Sequence, residues 1–114
     1  MDAPSPALLN FQRMIAAGKE GPLIRFALGN ELLKAGDPAA AVEHLAKAVV
    51  LDAQYTAAWK LYGKALVESG RSEEALAAYR EGIAVAQKKG DRQAEKEMLV
   101  FVRRIERTNQ GESS

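Results

Sequence analysis

The 114-residue chain contains no cysteine, so disulfides, thiolate nucleophiles and Cys-ligated zinc or iron–sulfur centres are excluded. It has a single histidine, His44, and therefore no His pair for a metal or a proton relay. Neither sign of charge dominates: 16 Lys and Arg stand against 15 Asp and Glu, a formal net charge of +1. That balance removes any compositional reason to expect nucleic acid or an anionic membrane as the main partner. The first stretch, MDAPSPALLNFQRM, carries Asp2 and has no apolar run long enough for a signal peptide or a membrane span. A cytoplasmic location is expected.

Catalytic constellations are also missing. His44 falls inside a helical stretch with no obvious carboxylate at ligand spacing, and is expected to be a partly exposed helix residue. Glu73 and Glu74 are adjacent, so they point different ways on a helix and suit its N-terminal dipole rather than acid–base work. The segment GKEG is too short for a phosphate loop and lacks the preceding strand. Ser5, Ser69 and Ser72 have no nucleophile elbow around them. No enzyme activity, cofactor or metal is expected.

What is present is an ordinary globular composition, 47% hydrophobic and 27% charged, at a length that suits one domain with a modest core. Within it lies a repeat. Gly29 and Gly63 are 34 residues apart, each in the middle of an otherwise helical pattern. Glycine there costs about 1 kcal/mol relative to alanine. The same step lays Leu28 on Tyr62, Leu32 on Leu66, Gly36 on Gly70, Ala41 on Ala75 and Leu45 on Tyr79. Self-similarity at this period marks a helix–turn–helix solenoid.

Each unit reads as two amphipathic helices. In the first, Leu28, Leu32 and Leu33 recur at helical spacing, Gly36 ends the helix, and Asp37 with Pro38 starts the next. Ala41, Val42, Leu45, Ala48 and Val49 then carry that helix to about Leu51. In the second unit Gly70 is the stop and Ser72 the expected cap. Gly29 and Gly63 are expected to let the neighbouring helix come close. Ala41 and Ala75 would be the reciprocal small residues, with Trp59, Tyr62, Tyr79 and Leu45 filling the gap around them.

These residues resemble the tetratricopeptide repeat family. Trp59, Tyr62, Gly63, Leu66, Gly70, Ala75 and Tyr79 carry the likeness in the better copy, and Leu28, Gly29, Leu32, Gly36, Ala41, Leu45 and Ala48 in the weaker one. AVVLDAQ resembles the family's exit, with Ala53 where proline is typical. Arg25 in place of a Trp59 equivalent, and Gly82 in place of an Ala48 equivalent, depart from the pattern. The expected fold is all-α, a right-handed antiparallel helical-repeat stack of about six helices, of the kind found in small stand-alone bacterial proteins. One domain over residues 5–107 is expected. It comprises a half-repeat helix (5–18), two repeats (22–55 and 56–89) and a capping helix (91–107). A flexible 1–4 precedes it and a disordered 108–114 follows.

The resemblance also implies a working surface, because the first helices of such repeats line a concave groove that grips partner peptides. By position, the groove would present Leu23, Phe26, Asn30, Leu33 and Lys34 from the first unit and Lys60, Lys64, Val67 and Glu68 from the second. If the last connection is one residue longer than its predecessor, Arg92 and Lys96 join them. Asn30, Arg92 and Lys96 would then stand where carboxylate-clamp members hold a partner's C-terminus, although Phe26 and Leu61 replace the Lys and Asn of those members. The expectation is a monomeric, non-catalytic adaptor or assembly factor. Its groove, apolar at the floor and basic at the lining, would take an acidic or C-terminal carboxylate-bearing segment of another protein. No nucleic acid or membrane is expected as partner. The alternatives are a self-associating structural subunit and, less favoured for want of a basic stripe with stacking aromatics, an RNA-binding helical repeat.

Overall fold

The computed structural model describes residues 5–113, with side chains for residues 5–111; the flexible segment expected at 1–4 lies outside the described residues. Six helices follow one another: α1 (Pro6–Ala16), α2 (Pro22–Lys34), α3 (Pro38–Leu51), α4 (Thr56–Glu68), α5 (Ser72–Lys89) and α6 (Arg92–Ser113). Among the described residues there is no strand.

The helix ends are written locally. Gly36, Gly70 and Gly90 adopt φ of +80°, +76° and +73°, the left-handed conformation that glycine takes without a Cβ penalty. Behind each, the next residue reaches back five positions along the turn: Asp37 N–H donates to Leu32 O at 2.9 Å, Arg71 to Leu66 O at 2.8 Å and Asp91 to Ala86 O at 2.9 Å. This bond satisfies a carbonyl the helix end would leave unpaired. At the starts, the Ser5 hydroxyl accepts from Leu8 N–H, and the Asp37 and Asp91 carboxylates accept from Ala40 and Ala94 N–H. Ser72 is not the cap of α5. It is the first helical residue, Arg71 holds the cap position, and Arg71 is clamped instead by two bonds to Glu74 at 2.9 and 2.7 Å.

The units pair as consecutive antiparallel helices, α2 with α3 and α4 with α5, while α1 closes against α2 and α6 against α5 and α4. The molecule measures 46 × 36 × 19 Å, and the short dimension is about two helix diameters. Leu28, Leu45, Leu66, Tyr79 and Met98 are the largest fully buried side chains. Each such aliphatic or aromatic burial contributes about 1.5–3 kcal/mol.

The helical glycines sit where two of these side chains arrive. A Cβ on Gly29 would lie 2.6 Å from Leu45 Cγ, and one on Gly63 would lie 2.5 Å from Tyr79 Cε1 and Cζ. The space is therefore filled by Leu45 and Tyr79 of the facing helices, as expected, and the small residues Ala41 and Ala75 of the same helices are fully buried. Gly82, a departure from the repeat pattern, does equivalent work at the next interface: a Cβ there would meet Met98 Sδ at 2.6 Å and Trp59 Cβ at 2.8 Å.

Two further differences concern α6. It continues to Ser113 instead of ending at Arg107, so residues 108–113, expected to be disordered, are helical. Ile105 is buried just before the expected end and Asn109 is half-buried beyond it. The Thr108 hydroxyl also returns a 3.0 Å bond to Arg104 O, so the helix has packing and hydrogen bonds to carry it on. The second difference is register. α5 has 18 residues where α3 has 14, which delays and rotates α6 relative to the preceding units.

Candidate functional site

The inner ends of α2, α4 and α6 meet around an open concavity of about 410 Å³. Phe26 and Asn30 enter from α2, Ala57, Lys60, Leu61 and Lys64 from α4, and Glu97 and Phe101 from α6. The helical period brings them together, since Phe26 and Lys60, like Asn30 and Lys64, differ by 34 residues. Four of the expected site residues, Phe26, Asn30, Lys60 and Lys64, thus share one surface.

The floor is aromatic. Phe26 is half-buried and packs on Tyr55, with ring centroids 5.0 Å apart. Phe101 stacks on the buried Tyr79 at 5.4 Å, and the Arg104 guanidinium lies 5.6 Å from the Phe101 ring centre. Burial pushes the Tyr79 phenol up to about 12, with Glu68 adding to the rise and Arg104 opposing it. Trp59 stays half-buried behind this floor and donates its indole N–H to Ala53 O at 2.8 Å.

The rim is less basic than expected. Lys60 reaches across to Glu97, 3.3 Å from Oε2, and that pair ties α4 to α6. Lys64, exposed, forms no ion pair among the described residues. A second concavity of about 320 Å³ adjoins the first at Lys64 and Phe101 and is lined mainly by apolar atoms of Val67, Tyr79, Phe101 and Ile105, with Glu68 and Arg104 at its edge. Val67 therefore belongs to this neighbouring compartment.

The remaining expected residues lie elsewhere. Leu23 is 67% exposed at the start of α2. Leu33 packs against the core, and Lys34 pairs with Glu31 of its own helix at 3.5 Å. Arg92 and Lys96 do not reach the groove; they line a separate surface concavity with Gln87, Gly90, Glu95 and Leu99. The cause is the register of α6. Glu97, 37 residues after Lys60, takes the groove position, so a one-residue slip is too small. Glu97, Phe101, Tyr79 and Arg104 were thereby missed, although the lengthened AVAQKK stretch of α5 is the signal of the shift.

A second polar cluster joins α2 to α3 and to the connection that precedes α2. Arg25, which replaces a tryptophan in the repeat pattern, is 6% exposed. Its guanidinium donates to Glu20 Oε1 (Nε at 2.8 Å, Nη2 at 2.7 Å) and to His44 Nδ1 at 2.8 Å. Nδ1 must accept here, so His44 is neutral. Burial first, then Arg25 and Lys47, hold its pKa below the usual imidazole value, against Glu43. His44 is a partly exposed residue of α3, as expected, and is the neutral partner of the buried Arg25 guanidinium. Among the described residues no three His, Cys, Asp or Glu side chains are placed to hold a metal ion, and no helix is long and apolar enough to cross a membrane.

Known proteins share this fold. The tetratricopeptide repeat family profile matches residues 26–91. A TPR repeat-containing protein of Pseudomonas aeruginosa is 46% identical over 96 residues, covering 84% of this chain and 91% of that protein. A Bordetella parapertussis protein of known solution structure superposes with a TM-score of 0.78 at 37% identity, over 96% of this chain and 92% of the other. A tetratricopeptide repeat domain protein of Salinibacter ruber superposes with a TM-score of 0.70 at 28% identity, over 76% of this chain and 97% of that one. With the 34-residue period, the glycine-for-bulk exchange between paired helices and these likenesses together, the chain belongs to the tetratricopeptide repeat family.

Proposed function

We propose that the chain is a non-catalytic, cytoplasmic protein-interaction module that holds a segment of another protein in the concavity between α2, α4 and α6. The observation that carries this is the meeting of Phe26, Lys64 and Phe101, from three helices, on one open surface. The two rings offer apolar area to an anchoring side chain of the partner. Lys64, with the Asn30 amide one repeat away, offers donors to a carboxylate. Lys60 is engaged by Glu97, so a single acidic group or a C-terminus fits better than a run of acids. The charge sets orientation and encounter rate, and the rings supply most of the affinity.

The test is an NMR titration of the labelled protein with a short peptide ending in a leucine with a free carboxylate, alongside its C-terminal amide. The expected result is amide shifts centred on Asn30, Lys64 and Phe101 for the free acid, weakened by Lys64→Glu, with the protein sedimenting as a monomer. Shifts confined to other surfaces, or equal binding of acid and amide, defeat the carboxylate reading. Concentration-dependent sedimentation that buries this groove would point to self-association instead.

A further inference from the structure

We propose that the outer face of α6 is a second docking surface, for an acidic amphipathic helix of a partner protein. Along the stack, α2 is covered by α3 and α4 by α5, whereas α6 packs only on α5 and α4. The place a paired second helix would take on α6 is open. Residues Arg92, Lys96, Leu99, Arg103 and Arg107 follow one another by four, three, four and four positions, so they form one stripe along the helix. That stripe lies opposite the side that buries Met98, Val102 and Ile105.

Its charge is mainly positive, with Glu95 the one acid that shares the concavity of Arg92 and Lys96. Three acids of α6 are turned back onto the stack: Glu95 accepts from Gln87, Glu97 holds Lys60 and Glu106 holds Arg80 at 3.1 Å. The four cations are left outward, all exposed, and none forms an ion pair among the described residues. Beside them Leu99 is half-buried and Val100 is 49% exposed, a small apolar centre between charges. A helix with carboxylates flanking a few small apolar residues complements this pattern in both charge and spacing. The first helix of a second copy does not, because α1, Pro6–Ala16, contains no acid and brings Arg13.

The experiment uses the full chain and a helix-forming peptide of about 18 residues, five turns, with glutamates on either side of an Ala/Leu centre. A scrambled peptide of the same composition, phosphatidylserine-containing vesicles and a single-stranded oligonucleotide serve as competing probes. The expected result is binding of the patterned peptide with amide shifts along α6. Lys96→Glu/Arg103→Glu should weaken it roughly tenfold or more, and so should high salt. Both positions are exposed and unpaired, so circular dichroism of the variant should match the parent. Lys64→Glu should leave this binding unchanged, which separates it from the groove. The inference fails if the patterned peptide does not bind, if the scrambled peptide binds equally, if Lys96→Glu/Arg103→Glu changes nothing, or if only vesicles or oligonucleotide bind. Self-association abolished by that double variant would also overturn it.

Discussion

The Tyr79 ring lies directly over Gly63, in space that a single methyl group would contest at 2.5 Å from two ring atoms. The ring also stacks on Phe101, which leaves it little freedom to move aside. A glycine that looks costly within α4 is thus what admits the largest fully buried side chain of the molecule.

Gly63→Ala is therefore expected to destabilise the fold by about 1–2 kcal/mol net, since overpacking outweighs the gain in helix propensity. Gly21, at φ 175° with nothing near its hypothetical Cβ, is the control, and Gly21→Ala should stay within about 0.5 kcal/mol. Urea denaturation of the two variants decides the point. A stabilised Gly63→Ala protein would contradict the packing described.

Gly82→Ala should loosen α6 in particular. Its new methyl would meet both Met98, a flexible side chain, and the Cβ of Trp59, which cannot swing away. Amide exchange should quicken across α6 more than across α2 and α3. Combined with Met98→Ala, the two changes should be non-additive by roughly 0.5–3 kcal/mol, as expected of residues in contact.

Stability should fall on the acid side of neutrality through His44. The folded state holds the imidazole pKa below its unfolded value, so the folded chain binds fewer protons than the unfolded one in that range. The contribution is complete above the unfolded value of about 6.5 and is lost as pH drops through the folded one. Protonation would set an imidazolium against the Arg25 guanidinium. Denaturation midpoints between about pH 7.5 and 5 should decline in the parent, and the decline should shrink in His44→Gln.

Tyr79 imposes the opposite dependence at the alkaline end. Its phenol ionises near 12 in the folded chain against about 10 unfolded, so the folded state retains the proton longer. Its stabilising effect is full below about 10 and disappears as pH rises through 12. Absorbance titration should show one phenol ionising last, and Tyr79→Phe should remove that step. A Tyr79 that titrates with an ordinary exposed phenol would show that the ring is not enclosed.

Much of the architecture was legible because its signals are repeated and local. Gly36 and Gly70 stop two helices with the same backbone conformation, and Leu45 and Tyr79 occupy the same place in two units. The concavity was legible in its first two helices for the same reason, as Phe26, Asn30, Lys60 and Lys64 follow the period. Arg25 and His44 were not. Arginine does not announce burial, and the 2.8 Å contact of Arg25 with the partly exposed His44 joins positions 19 apart in the chain.

The sequence by itself determined the helix stops at Gly36 and Gly70 and the starts at Ser5, Asp37 and Asp91, because capping hydrogen bonds and positive-φ glycines act within a few neighbouring residues. It also determined the 34-residue rhythm that pairs them. Only the tertiary structure decided which side of α6 turns inward, so that Glu97 and Phe101 enter the groove while Arg92 and Lys96 stay out. That choice is made by how Met98, Val102 and Ile105 bury against a lengthened α5. Burial is a sum over distant contacts that no local pattern encodes.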